Sequence, residues 1–181
     1  MARKVFYSFH YGKDAWRASQ VRNIGKLEGN SPVSANQWEE VKQKGDNTIK
    51  KWINDNLYGK SCLILLIGEE TYSRKWCKYE IKRAWEEGKG VLGIYIHGLK
   101  NANGEQCHKG INPFESFCID QTMNYIVEHR TPADKNEINL SKICIAYNPP
   151  YVTSKYVYDD ISEKIEDLVE EAIRIRNQYP K

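Results

Sequence analysis

The chain has no apolar stretch of membrane-spanning length, no CxxC pair and no glycine-rich loop behind its first hydrophobic run. Each absence removes a class of protein. A spanning helix needs about 20 predominantly apolar residues, so no membrane partner is expected. Five cysteines is an odd number, and three of them sit in apolar element patterns. They read as reduced thiols of a cytoplasmic protein rather than a disulfide framework. Met1-Ala2-Arg3-Lys4-Val5-Phe6 runs straight into a strand pattern, which reads as the absence of a secretory signal. A formal net charge of +3 with acidic and basic residues interspersed offers no basic face, so no nucleic-acid partner is expected.

What is present is an alternation of strand and helix patterns. Lys4 to Phe9 reads as a first strand, ending in the polar turn His10 to Asp14. Asp14 to Leu27 has helical spacing, and Pro32 to Trp38 reads as a weak edge-type second strand. Glu39 to Asp46 reads as a charged loop and Asn47 to Leu57 as an amphipathic helix. Cys62 to Ile67 is a short apolar run without alternation, as in a parallel-sheet strand buried on both faces. A helix carrying Trp76, Tyr79, Glu80 and Arg83 follows and ends at Gly88. Gly90 to His97 is a fourth strand and Leu140 to Tyr147 a fifth.

These elements predict an α/β fold: a flavodoxin-like three-layer αβα arrangement around a five-stranded, mainly parallel sheet. Residues 1–181 read as one domain, with a polar insertion at about 98–139 and a C-terminal amphipathic helix at about 156–176.

Open parallel sheets bind ligands beyond the carboxyl ends of their strands. Glu80, one or two helical turns past the third strand, is therefore the leading candidate for chemistry. Its plain alternative is a solvated helix face paired with Arg83. The turn Ser8-Phe9-His10-Tyr11-Gly12 is too bulky for a phosphate-cradling loop, and the first strand lacks the carboxylates of a phospho-acceptor receiver. No metal ligand set is expected, since His10, His97, His108 and Cys107 have no paired spacing. Lys13 and Arg17 read as solvated, and one of Tyr7 and Phe9 as plain core.

Four segments resemble the TIR (Toll/interleukin-receptor) superfamily. Val5 to His10 is similar to its hydrophobic-Phe-x-Ser opening strand, and Ile49 to Ser61 to the helix after its second-strand loop. Leu63 to Ser73 is similar to the third strand and its exit. Arg74-Lys75-Trp76-Cys77-Lys78-Tyr79-Glu80-Ile81 resembles the S-x-W-C-x-x-E-L signature, whose glutamate is catalytic in NAD-cleaving members. More narrowly, Ser8 to Tyr11, the Arg74 to Ile81 segment and Lys109 to Phe114 resemble the stand-alone bacterial TIR-like proteins of the Thoeris antiphage system. The likeness covers roughly residues 1–118. Glu39-Glu40-Val41-Lys42 departs from it, lacking the Pro-Gly loop of adaptor TIR domains.

The resemblance implies an enzyme that turns NAD into a cyclic ADP-ribose isomer or related ADP-ribose signal for a separate effector. NAD is then substrate, no cofactor is implied, and self-association is a further possibility for TIR folds. Cleavage at the nicotinamide–ribose bond expels a neutral amine, so one carboxylate suffices where O-glycosides require a pair. Glu80 takes that role, with Ser8, Phe9, His10, Tyr11, Trp38, Glu39 and Trp76 as candidate substrate contacts. Bland readings stand beside them: Trp76 as packing that fixes the Glu80 helix, Ser8 and His10 as turn residues. Two rival functions remain, a non-catalytic self-associating scaffold and a nucleoside N-glycosidase or deoxyribosyltransferase.

Overall fold

The computed structural model describes residues 2–33 and 35–181, residues 35 and 36 by their backbone alone. In chain order the elements are β1 (Lys4–Ser8), α1 (Tyr11–Arg22), β2 (Glu28–Gly29), α2 (Ala35–Gln43), α3 (Asp46–Leu57), β3 (Cys62–Ile67), α4 (Lys75–Glu86) and β4 (Gly90–Tyr95). They continue with β5 (Cys118–Asp120), β6 (Ile126–Val127), β7 (Glu137–Asn139), β8 (Ala146–Tyr147) and α5 (Ser154–Arg176). Five strands form one sheet in the order β2-β1-β3-β4-β8, every pairing parallel. That is the flavodoxin-like order with its reversal at β1 and β3.

The apolar run of β3 is buried at every residue because it lies between two helical layers. Leu63, Leu65 and Ile67 pack with Ile53 and Leu57 of α3 and Ile81 and Trp85 of α4. Cys62, Ile64 and Leu66 face the other way, toward Ala18 and Val21 of α1 and the α5 stripe Val157, Ile161, Ile165 and Val169. Alternate side chains of one strand thus feed two cores. Helix α4 ends where Gly88, at φ 76°, adopts the left-handed conformation that a Cβ disfavours.

Several expectations are corrected. The edge strand is not Pro32 to Trp38 but β2 at Glu28–Gly29, paired with Lys4 and Val5. Asn30 then replaces a further backbone partner, its Oδ1 accepting the Tyr7 N–H at 2.9 Å. Residue 34, part of the expected strand, lies outside the described residues. Trp38 sits instead on α2, which also absorbs most of the expected charged loop; Trp38 and Val41 turn one face toward Trp52. Helix α1 begins at Tyr11, not Asp14: the His10 carbonyl accepts the Lys13 and Asp14 N–H groups, with no side-chain cap to mark the start.

Leu140 to Tyr147 pairs with β4 only through β8. The Asn139 side chain accepts the Ser141 N–H at 3.0 Å and folds Leu140–Lys142 into a 3-10 turn, a local bond that competes with strand pairing. Within the expected insertion, β5 pairs antiparallel with β6 and β7 as a separate small sheet. No helix among the described residues is long and apolar enough to cross a membrane.

Candidate active site

Only Phe9 and His10 separate β1 from α1, so the first turn of α1 is held against the carboxyl end of the sheet. Gly68, at the exit of β3, makes this approach possible: a Cβ there would come within 2.1 Å of an Asp14 carboxylate oxygen. The Phe9 ring lies 4.4 Å from Tyr11, and Tyr11 stacks on Trp38 with centroids 4.8 Å apart and planes 16° from parallel. Trp38 in turn meets Trp52 edge-on at 5.7 Å. Phe6 of β1 also meets Trp52 edge-on at 6.3 Å, so β1, α1, α2 and α3 are tied by one chain of rings. Both Tyr7 and Phe9 are buried, but only Phe9 reaches the cavity described next.

That cavity, of about 220 Å³, is walled by Phe9, Tyr11, Trp38 and Trp76, with His10, Glu39, Lys42 and Arg74 also lining it and Glu80 among the walls. Glu80 is 5% exposed, far from a solvated helix face. Arg83 turns away from it to Asn54 and Glu87. Burial raises the Glu80 pKa to about 8, and the Ser8 hydroxyl opposes this by favouring the carboxylate. Glu80 Oε2 and Ser8 Oγ are both buried and neither makes a hydrogen bond of ordinary geometry. Two adjacent polar groups left unsatisfied inside a fold are costly unless a ligand or water completes them.

The remaining residues set the local field. His10 stays neutral, its pKa lowered first by burial and then by the Arg74 charge, and its Nδ1 also lacks a partner. Glu39 holds Lys42 by a 3.2 Å ion pair. Arg74 makes no side-chain ion pair among the described residues and directs its charge to the cavity wall. Burial pushes the Cys77 thiol up, which leaves it an uncharged packing group. Trp76 is half-buried against Tyr79, with the Lys75 ammonium 4.8 Å above its ring.

The structure thus brings Phe9, His10, Tyr11, Trp38, Glu39, Trp76 and Glu80 around one cavity, while Ser8 lies buried behind Glu80. It does not treat Arg17 as solvated: that guanidinium is 4% exposed and bonds Asp14, Leu99 and Glu105. Sequence reasoning missed Lys42 and Arg74 as lining cations. Lys42 follows Trp38 by one helical turn, a signal hidden once the segment was read as loop; Arg74 stands at the edge of the Trp76–Glu80 motif.

Residues 6–101, more than half of the chain, match the family model described as Thoeris protein ThsB, TIR-like domain. The chain belongs to that family. All the residues around the cavity fall inside the ThsB TIR-like match, whereas the small sheet and α5 fall outside it. A protein of Bacillus cereus (strain MSX-D12), named "Putative cyclic ADP-D-ribose synthase ThsB1", is 38% identical over 121 residues, which is 64% of this chain. The chain spans 62% of the length of that curated ThsB relative.

Proposed function

We propose that the chain cleaves NAD at the nicotinamide–ribose bond and returns the ADP-ribose part as a cyclic or conjugated signal that activates a separate effector in antiphage defence. The observation that carries this reading is Glu80: one buried, unsatisfied carboxyl group in an aromatic-walled cavity with two cations on its lining. Membership of the ThsB family and the name of the Bacillus cereus relative support the substrate class.

Each part has a task that its chemistry suits. Aromatic faces of Tyr11, Trp38 and Trp76 stack nicotinamide or adenine. Arg74 and Lys42 attract the diphosphate. A pyridinium cation brought beside Glu80 favours its ionised form, which restores the charge that burial suppresses. The carboxylate then stabilises the ribosyl cation as the bond to nicotinamide breaks, an effect on the order of 3 kcal/mol for one well-placed group. Walls that exclude water favour attack by a hydroxyl of the same molecule, or by a second substrate, over hydrolysis. The cavity lies below the roughly 300–1,000 Å³ of small-molecule sites, so it suits the nicotinamide riboside end, with the adenosine end at its mouth.

The test is nicotinamide release from NAD by the purified chain, alone and in lysate of phage-infected cells, with products identified by mass spectrometry. Glu80→Gln should lower turnover at least about 100-fold while the circular dichroism spectrum is kept. Undiminished turnover by that variant removes Glu80 from the reaction. Intact defence by the variant would favour the scaffold reading, and turnover of free nucleosides in preference to NAD would favour the N-glycosidase.

A further inference from the structure

Outside the family match, the small sheet gathers three chemically unlike side chains on one face. Cys118 of β5 lies opposite Val127 of β6 and Asn139 of β7, and Asp120 lies opposite Glu137. Directly opposed residues point to the same side of a sheet, and so do residues two apart. Glu137 therefore shares a face with Cys118, and His129, two residues past Val127, continues that face beyond the end of β6. One ligand-competent atom from each of Cys118, His129 and Glu137 lies within 4.8 Å of the others. These three come from the three strands or their immediate ends, at sequence separations that follow no metal-binding motif.

We propose that Cys118, His129 and Glu137 bind a zinc ion that clamps β5, β6 and β7 together. A thiolate, an imidazole and a carboxylate are the donors zinc takes, and the sulfur selects against magnesium and calcium. Ligand atoms around a tetrahedral zinc lie roughly 3.3 to 3.7 Å apart, given bonds of about 2.0 to 2.3 Å. His129 Nε2 and Glu137 Oε2 are already 2.6 Å apart. The proton between them passes through solvent to Nδ1, so the imidazole stays neutral and presents the Nε2 lone pair to the ion, with a small widening of the pair. The Cys118 thiol releases its proton to solvent as the metal–sulfur bond forms, and the charges of thiolate and carboxylate balance the dication.

The surroundings fit a held cation. Glu137 Oε2 also accepts the Ala133 N–H at 2.8 Å, which fixes the carboxylate; Oε1 has no partner among the described residues. The Asn139 amide, anchored on the Glu115 and Arg130 carbonyls, holds the β7 position directly opposite Cys118. Cys118 is fully buried while the His129 side chain is 35% exposed, giving the ion a dry side and an entry side with one position left for water. Asp120 shares the face but its Oδ1 is occupied by the Thr122 N–H and hydroxyl. The clamp also bears on α4: Glu128, next to His129, pairs with Lys78, and Asn124 donates to the Glu86 carbonyl.

The experiment is Zn²⁺ and Co²⁺ titration of the metal-stripped 181-residue chain at pH 7.5 against a chromophoric chelator. We expect one equivalent per chain, and with Co²⁺ a near-ultraviolet thiolate-to-metal band together with the intense visible bands of a four-coordinate ion. Cys118→Ser should abolish the near-ultraviolet band. His129→Gln, a change at a half-exposed position whose fold is checked by circular dichroism, should weaken Zn²⁺ binding by more than about tenfold, as should Glu137→Gln. Cys107→Ser, which alters the other cysteine with a histidine neighbour, should change nothing. The proposal is overturned if saturating Co²⁺ gives no thiolate band, if the band follows Cys107 instead of Cys118, or if a folded His129→Gln chain binds zinc like the parent.

Discussion

Tyr11 and Trp38 stack face to face at 4.8 Å, and this contact joins the first turn of α1 to a helix that the sequence pattern hides. The stack closes one wall of the cavity in which Glu80 lies. Wall and carboxyl group therefore come from opposite ends of the matched segment, brought together by the reversal of strand order between β1 and β3.

Trp38→Ala should separate the two roles of that wall. Deleting a buried tryptophan costs about 3–5 kcal/mol, of which the lost aromatic contact is about 1 kcal/mol; urea unfolding measures the total. The opened cavity admits water, so the fraction of NAD released as plain ADP-ribose should rise. Trp38→Phe keeps a ring on Tyr11 and should retain most of the parent product ratio. Product ratios that are the same in all three proteins would show that the wall does not exclude water.

The Glu80 carboxyl group should make stability depend on pH. Its folded pKa of about 8 stands above its ordinary value of 4.5, so the folded protein holds a proton that the unfolded chain gives up. Stability from this group is complete below about pH 4.5 and declines until pH passes about 8. The full span is on the order of a few kcal/mol. Glu80→Gln cannot ionise, so it should be more stable than the parent at pH 9 by more than any difference at pH 5. Thermal melts of both proteins at the two pH values check this; parallel melting curves would contradict the raised pKa.

The same ionisation should appear in the kinetics. If the carboxylate is the working form, kcat/KM for NAD should climb about tenfold per pH unit up to about pH 8 and then level. His10 does not add a limb there, because burial and Arg74 hold its pKa below the ordinary histidine value. A profile that is flat from pH 6 to 9 would mean that ionisation of Glu80 does not limit the reaction.

The elements legible in the sequence are those whose burial writes a period into the chain. The β3 run, the α5 stripe and the Trp76–Glu80 helix are buried along a strand or a face, and each lies near its expected position. Elements held by side-chain hydrogen bonds or by partners far along the chain were not legible. β2 is two residues long and leans on Asn30; α1 starts without a capping side chain; β5 to β7 are too short to show alternation. The site divides the same way. Glu80 stands out because it follows the third strand by one or two helical turns and lies in the segment that resembles the TIR signature, whereas Lys42 and Arg74 look like any surface cation until the fold turns them toward the cavity.

Arg17 offers a test of the scaffold beneath the site. Its guanidinium bonds the Asp14 carboxylate at 3.0 Å and the Leu99 and Glu105 carbonyls, each at 2.9 Å, joining the first turns of α1 to the chain beyond β4. Asp14 is 1% exposed, and burial already raises its pKa against the pull of Arg17. Arg17→Met leaves that carboxyl group unpaired, at a cost of about 3–5 kcal/mol. Arg17→Lys should recover little, since one ammonium cannot reproduce a fork that reaches three oxygens. Asp14→Asn together with Arg17→Met should cost clearly less than the two single changes added, because the second removes a charge that the first has stranded. A double-mutant cycle in urea decides the matter. Additive costs would show that the buried pair does not act as a unit, and that α1 is held by its apolar face alone.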